Sequence, residues 1–222
     1  MDQLQTVALF DLTQTLAAPL LKDCEYPWEA LDKIKEFIEG LGKFLPADEY
    51  REVAPTVWVH RTALVYPSAF FGHHIVIGPR TEVRHGAFLR ECALVGADAV
   101  VGNSTELKNV ILFNHVQVPH YNYVGDSILG YYAHMGAGSI TSNVKSDKTP
   151  VTVLISGGEK VATGRKKFGA MVGDHTEVGC NSVLNPGTVL GRDVTVYPLS
   201  MVRGFVPERH IFKSREQVVE KK

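Results

Sequence analysis

The chain is poor in cysteine: Cys24, Cys92 and Cys180 are the only three in 222 residues. Their odd number and wide spacing exclude a disulfide scaffold or a Cys-x2-Cys metal site as the organising device. No apolar run reaches about 18 residues, the length a membrane-spanning helix needs. An excess of charge of one sign is missing too. With 23 basic against 24 acidic residues the net charge is −1, whereas a nucleic-acid footprint needs a clustered positive surplus. The opening MDQLQTVALFDL lacks the basic start, long apolar centre and small-residue cleavage site of a secretory signal. The expectation is a cytoplasmic protein with free thiols and no nucleic acid or membrane among its partners. At 45% hydrophobic residues the chain has enough apolar mass for one domain with appendages.

What is present is a period of six. From Val59, steps of six land on Val65, Phe71, Ile77, Val83, Leu89, Val95, Val101, Leu107 and Phe113, all large and apolar. Chance gives such a run odds of about 10⁻⁵ in a fixed frame. The period returns at Val172, Val178, Leu184, Leu190, Val196 and Val202. Small residues such as Ala87, Ala99 and Thr105 fall four positions after the index, and glycine often follows it directly, as at Gly72, Gly78, Gly96 and Gly102. This is the hexapeptide signature of a parallel β-helix, an all-β solenoid in which three hexapeptides make one triangular coil. The index residue fills the interior. The glycine after it is expected at a bend, where it tolerates backbone angles other residues avoid. Hexapeptide proteins of this class characteristically coil left-handed, and the class sets that expectation, since periodicity alone does not.

The rhythm slips between Phe113 and Met135, where the steps run Val118, Val124, Leu129 with two five-residue intervals. It disappears before Val172. There, VTVLIS (151–156) and VATGRKK (161–167) flank Gly157-Gly158, which predicts a protruding β-hairpin. The boundaries expected are an N-terminal helical extension over 1–55, a left-handed β-helix over 56–205 with a hairpin insertion at about 144–167, and a tail over 206–222. Trp28, Leu31, Ile34, Phe37, Ile38 and Leu41 have helical spacing, so a helix over 28–42 is expected to cap the open first coil. Ser214 to Gln217 has a capping-box pattern that suggests a short C-terminal helix.

The period also identifies neighbours. Arg90 and Lys108 each follow an index residue and lie 18 apart, so they are expected to stack on adjacent coils about 5 Å apart. Either Glu91 or Glu106 neutralises them, or they form a phosphate clamp. The stretch PHYNYVGD (119–126) lies where the repeat slips. An imidazole takes up a proton near neutral pH, so His120 is a candidate base, with Tyr123 to orient it or a substrate; equally, both can be plain corner and wall residues.

These residues, ELKN (106–109), PHYNYVGD and MGAGSITSN (135–143), resemble the acetyltransferase domain of bifunctional N-acetylglucosamine-1-phosphate uridyltransferases. The later TGRKKFGAMVGD and Asn185-Pro-Gly are similar to archaeal-type sugar-1-phosphate nucleotidyltransferases that also acetylate. The resemblance covers about 56–205, and the 55 residues before it are expected to be too few for a nucleotidyltransferase domain. It implies an acetyl-CoA-dependent N-acetyltransferase acting on an amino-sugar phosphate, with no metal. His120 would be the base, Arg90 and Lys108 would hold the phosphate, and Tyr123, His134 and Asn143 would position the sugar. Acetyl-CoA would run along a groove near Ala137, Cys180 and Pro198 between the subunits of a homotrimer. The chain departs from the family at His134, where asparagine is usual, at Val144, at Lys145-Ser146 and at Pro198.

Two other readings compete. His115 and His120 have the His-x4-His spacing of γ-class carbonic anhydrases, which would put zinc between subunits. The other is a β-helix that has lost catalysis and serves as a scaffold or pathway subunit.

Overall fold

The computed structural model describes residues 2–214 and 217–221. The repeat folds as a parallel β-solenoid of about nine turns, the left-handed hexapeptide architecture. Strands Phe70–Ile77, Phe88–Val95, Glu106–Leu112 and Tyr123–Leu129 each run along one wall, bend at a corner and continue along a second. The third wall is a separate parallel sheet that includes Val100–Asn103, Gln117–His120, His134–Met135 and Glu177–Val178. Val83, Val101 and Val178 are buried in the interior, as the period requires.

The corners show why the period is six. Three positions after an index residue the backbone enters the left-handed region: Arg80, Cys92, Asp98 and Ser104 have φ between 52° and 56°. That conformation costs an L-residue roughly 1–2 kcal/mol, and here stacked coils hold it in place. The glycines after the index have a different purpose from the one expected. They are not in the left-handed region; the next coil crosses directly over them. A Cβ on Gly72 would overlap the Arg90 carbonyl oxygen, and one on Gly102 would overlap that of Pro119.

Of the two short steps, the second falls where expected, from Val124 to Leu129, and the first falls elsewhere. Leu89 pairs with Leu107, but Glu91 pairs with Lys108 and Val95 with Leu112. The first five-residue step therefore runs from Leu107 to Leu112, and Leu112, not Phe113, takes the index position. The second runs from Val124 to Leu129, and Leu129 pairs with Leu112. Both shortened steps occur at the corner between the first and second walls, in successive coils. The left-handed residue comes one position early in each, at Asn109 and Asp126.

The predicted hairpin is present: Thr152–Leu154 pairs antiparallel with Lys160–Ala162. The helix expected over 28–42 is instead a 3-10 turn, Pro27–Ala30, followed by an α-helix, Ile34–Gly42. Nor does the extension cap the solenoid end. It runs along the flank, opposite to the direction of coil stacking. Arg192 Nη2 donates to Val7 O at 3.2 Å, Asn114 N to Gln14 O at 3.0 Å and Asn109 Nδ2 to Leu31 O at 3.1 Å. Consequently the second-wall strands are buried on both faces: Ile75, Val76 and Ile77 are all inaccessible, as are Val110, Ile111 and Leu112. The first coil's edge is covered by Tyr50–Ala54, antiparallel to Val57–His60. At the other end His210–Ser214 pairs antiparallel with Gln217–Glu220 instead of forming a helix. Arg215 and Glu216 of the capping-box pattern lie outside the described residues. Among those residues no helix is long and apolar enough to cross a membrane.

The contrast between two glycines tests the close-approach account. Gly40, in the Ile34–Gly42 helix, has open space where a Cβ would stand, with nothing within 4 Å. Gly40→Ala should leave urea unfolding unchanged or stabilise the protein by up to about 1 kcal/mol. Gly102→Ala should cost about 1–3 kcal/mol, because backbone crosses it. Equal midpoints for the two variants would rule the account out.

Candidate active site

The first wall has candidate site residues at both of its edges. At the edge shared with the third wall the backbone makes a ladder across coils. Tyr121 N donates to Asn103 O at 2.8 Å, Gly138 N to His120 O at 2.9 Å, Asn181 N to Ala137 O at 2.8 Å and Leu199 N to Cys180 O at 2.9 Å. His120, Ala137, Cys180 and Pro198 therefore stand in one column, each a strand spacing from the next. The His120 ring is exposed, and so is the Cys180 thiol. By contrast, burial pushes the Cys92 thiol up to about 11.

Tyr123 lies three residues after His120 on the first wall, in register with Glu106 and Ile140. Its ring folds back over Gly125, where a Cβ would meet the phenol oxygen at 2.5 Å. Asn143 Nδ2 donates to Tyr123 Oη at 3.3 Å. Burial raises the phenol above its ordinary value, and the charges of Asp126 and Glu106 push the same way. Tyr123 is therefore a neutral O–H donor at physiological pH.

At the opposite edge, the shortened corner brings three side chains onto one carboxylate. Asp126 accepts from Lys108 Nζ at 3.1 Å, Asn109 Nδ2 at 2.9 Å and Asn143 Nδ2 at 2.5 Å. Both members of the Lys108–Asp126 pair are largely buried. Asn109 also donates to Leu31 O, tying the extension to this corner. Asp126 was not singled out from the sequence, although it closes the PHYNYVGD run; only its place in that run marked it.

The expected Arg90–Lys108 stack is not formed. The missing residue places Lys108 opposite Glu91, and its ammonium turns to Asp126 in the next coil. Arg90 stays on the surface, with Nη1 3.4 Å from Glu106 Oε1. His134 is also apart from Tyr123 and Asn143. It lies on the third wall between Gln117 and Glu177, with Nδ1 2.7 Å from Glu177 Oε2. The two histidines of the zinc reading diverge within the chain. His115, at the far corner of the third wall, stacks on Tyr132 with centroids 4.4 Å apart, whereas His120 ends that wall's strand at the other corner. Among the described residues no three His, Cys, Asp or Glu side chains gather as a metal site.

Fold and column together define a hexapeptide-repeat β-helix protein with an open imidazole at one edge. Its sequence is similar to that of proteins named bifunctional protein GlmU: the one from Methanococcus vannielii is 35% identical over 147 residues, 66% of this chain and 34% of the relative. The bifunctional sugar-1-phosphate nucleotidylyltransferase/acetyltransferase of Sulfurisphaera tokodaii is 26% identical over 197 residues, 86% of this chain and 48% of the relative. The chain thus spans about half or less of the length of these curated relatives. Among solved structures, a hexapeptide transferase family protein from Anaplasma phagocytophilum matches with a TM-score of 0.42 and 16% identity, covering 75% of this chain and 80% of that one. No protein-family model matches.

The Asp126 hub gives a double-mutant test. Asp126→Ala strands a buried ammonium and should cost about 3–5 kcal/mol in urea unfolding. Adding Lys108→Met should recover a large part of that loss, since the stranded charge is then gone. Additive costs would show that the pair does not interact.

Proposed function

We propose that this chain is an acetyl-CoA-dependent N-acetyltransferase acting on an amino-sugar phosphate. The observation that carries the reading is the column His120, Ala137, Cys180, Pro198, with an open imidazole one strand spacing from the edge proposed for the coenzyme. Similarity to relatives whose names include acetyltransferase activity supports it.

In this reading the neutral His120 imidazole takes a proton from the sugar amine as its nitrogen attacks the thioester carbonyl. The C–N bond forms, the C–S bond breaks, and the imidazolium returns its proton to the departing thiolate sulfur. Tyr123 donates its O–H to the sugar, and Asn143 fixes the angle of that phenol. Arg90 is 53% exposed and loosely held by Glu106, so it is the cation free to meet the phosphate. Lys108 is a positioning residue: through Asp126 it holds Asn143 in place. The coenzyme groove needs a second wall, which a homotrimer provides. Exposed Phe70, Phe88 and Met201 on the outer face of the first wall favour such self-association.

His120→Ala should lower turnover about 10²–10⁴-fold in an acetyl-CoA thiol-release assay with glucosamine-1-phosphate, with little change in sugar affinity. Full turnover would place the base elsewhere. Independently of turnover, acetyl-CoA should protect the exposed Cys180 from alkylation while buried Cys24 and Cys92 stay unreactive in the native protein. Alkylation of Cys180 at an unchanged rate under saturating acetyl-CoA would remove the groove from this edge.

A further inference from the structure

Asn122 stands between His120 and Tyr123 in the chain and is 2% exposed. A buried amide has to have its hydrogen bonds met. Those of Asn122 are met at two neighbouring turns. Its Oδ1 accepts from His120 N at 3.1 Å, which closes a tight turn through Tyr121, whose φ is 53°. Its Nδ2 donates across to the next coil, to Gly136 O at 2.9 Å and Ser139 O at 3.0 Å, with Ser139 Oγ 3.2 Å away. These partners fix the orientation of the amide, because its oxygen faces an N–H and its nitrogen faces two carbonyls.

The two turns joined in this way carry different parts of the proposed site. One bears His120. The other, Gly136 to Ser139, bears Ala137 of the edge assigned to the coenzyme. Gly138 N donates to His120 O at 2.9 Å and closes the link from the other direction. The second turn has no freedom to slide. Ser139 Oγ donates to Gly136 O at 2.7 Å, and a Cβ on Gly136 would stand 2.8 Å from Cys180 N, so Gly136 is seated against the following coil. The His120 ring, by contrast, makes no hydrogen bond of its own among the described residues. Its position therefore depends on its backbone, and Asn122 holds that backbone.

We propose that Asn122 is a positioning residue for acetyl transfer: it sets the spacing between the His120 imidazole and the coenzyme edge. The inference rests on the reading of His120 as the base and of the Ala137–Cys180 column as that edge. Without the amide, the turn at Tyr121 relaxes and the base moves relative to the thioester. Tyr123 is held separately, by strand pairing to Glu106 and Ile140 and by Asn143, so contacts to the sugar survive. A shift of about 1 Å in a reacting group costs about 10²-fold in rate.

Steady-state kinetics with acetyl-CoA and glucosamine-1-phosphate test this. Asn122→Ala should lower kcat about 10- to 100-fold and leave both KM values within about twofold of the original. Added to His120→Ala, it should cause no further loss, because it acts through the imidazole. Asn122→Ser keeps a hydroxyl for part of these bonds and should give a smaller loss of the same kind, which covers a failure of the alanine variant to fold. Hydrogen exchange on the full chain needs no activity. Asn122→Ala should speed it about tenfold over residues 117–122 and 136–139, while 110–112 stay unchanged. A rise in KM matching the fall in kcat, an additive double mutant, or unchanged exchange at the two turns would each overturn the proposal. Full turnover in Asn122→Ala beside a crippled His120→Ala would overturn this role alone. Full turnover in His120→Ala would overturn the base and this role together.

Discussion

Coils stacked at strand spacing leave no room for a residue that is out of step, and that constraint organises this molecule. Each backbone amide at a corner must find the carbonyl of the coil before it, so equivalent positions fall into columns whatever their side chains. Glycine is required where one coil crosses another, as at Gly102, and ordinary residues accept a left-handed backbone where the walls meet, as at Cys92 and Asp98. The column through His120, Ala137, Cys180 and Pro198 is a product of that geometry before it is a product of chemistry.

Against such regularity, the loss of one residue has large effects. Two successive coils are shortened at the same corner, which brings Asn109 and Asp126 one position early. The corner tightens, Lys108 is drawn away from Arg90, and a buried carboxylate collects Lys108, Asn109 and Asn143. Buried charge of this kind holds only when its partners satisfy it fully, so the extension, through Leu31, and the end of the last strand before the hairpin, through Asn143, become fixed to the same point.

The interior was legible in the sequence because a six-residue apolar period has few alternatives, and Val83, Val101 and Val178 lie where it places them. The site was legible only in part. His120, Ala137, Cys180 and Pro198 share an edge because steps of constant length separate them from their indices. The Arg90–Lys108 relation failed on a single ambiguity: Leu112 and Phe113 are both apolar, so the sequence offers no way to say at which corner the step shortens. The extension was misplaced for a different reason. Helical spacing identifies a face that must be buried, as Ile34 and Ile38 are, without naming the surface that buries it. His134 was picked out by its place in a motif; its strand belongs to the third wall beside that of His120, apart from Tyr123 and Asn143 within the chain.

The reversed course of the extension has a consequence for how the molecule is made. Its first residues rest on middle and late coils: Val7 on Arg192, Asp11 on Asp174 and Gln14 on Asn114. A chain emerging from a ribosome therefore produces this segment first and can seat it last. Until then the second wall shows the apolar row of Val76, Leu94, Ile111 and Ile128 to water. Contacts spanning 185 residues are slow to close, and exposed apolar strand surface during that interval invites association with other chains. The segment thus acts as a late seal, and the vulnerable period of this protein is the time between finishing its coils and covering them.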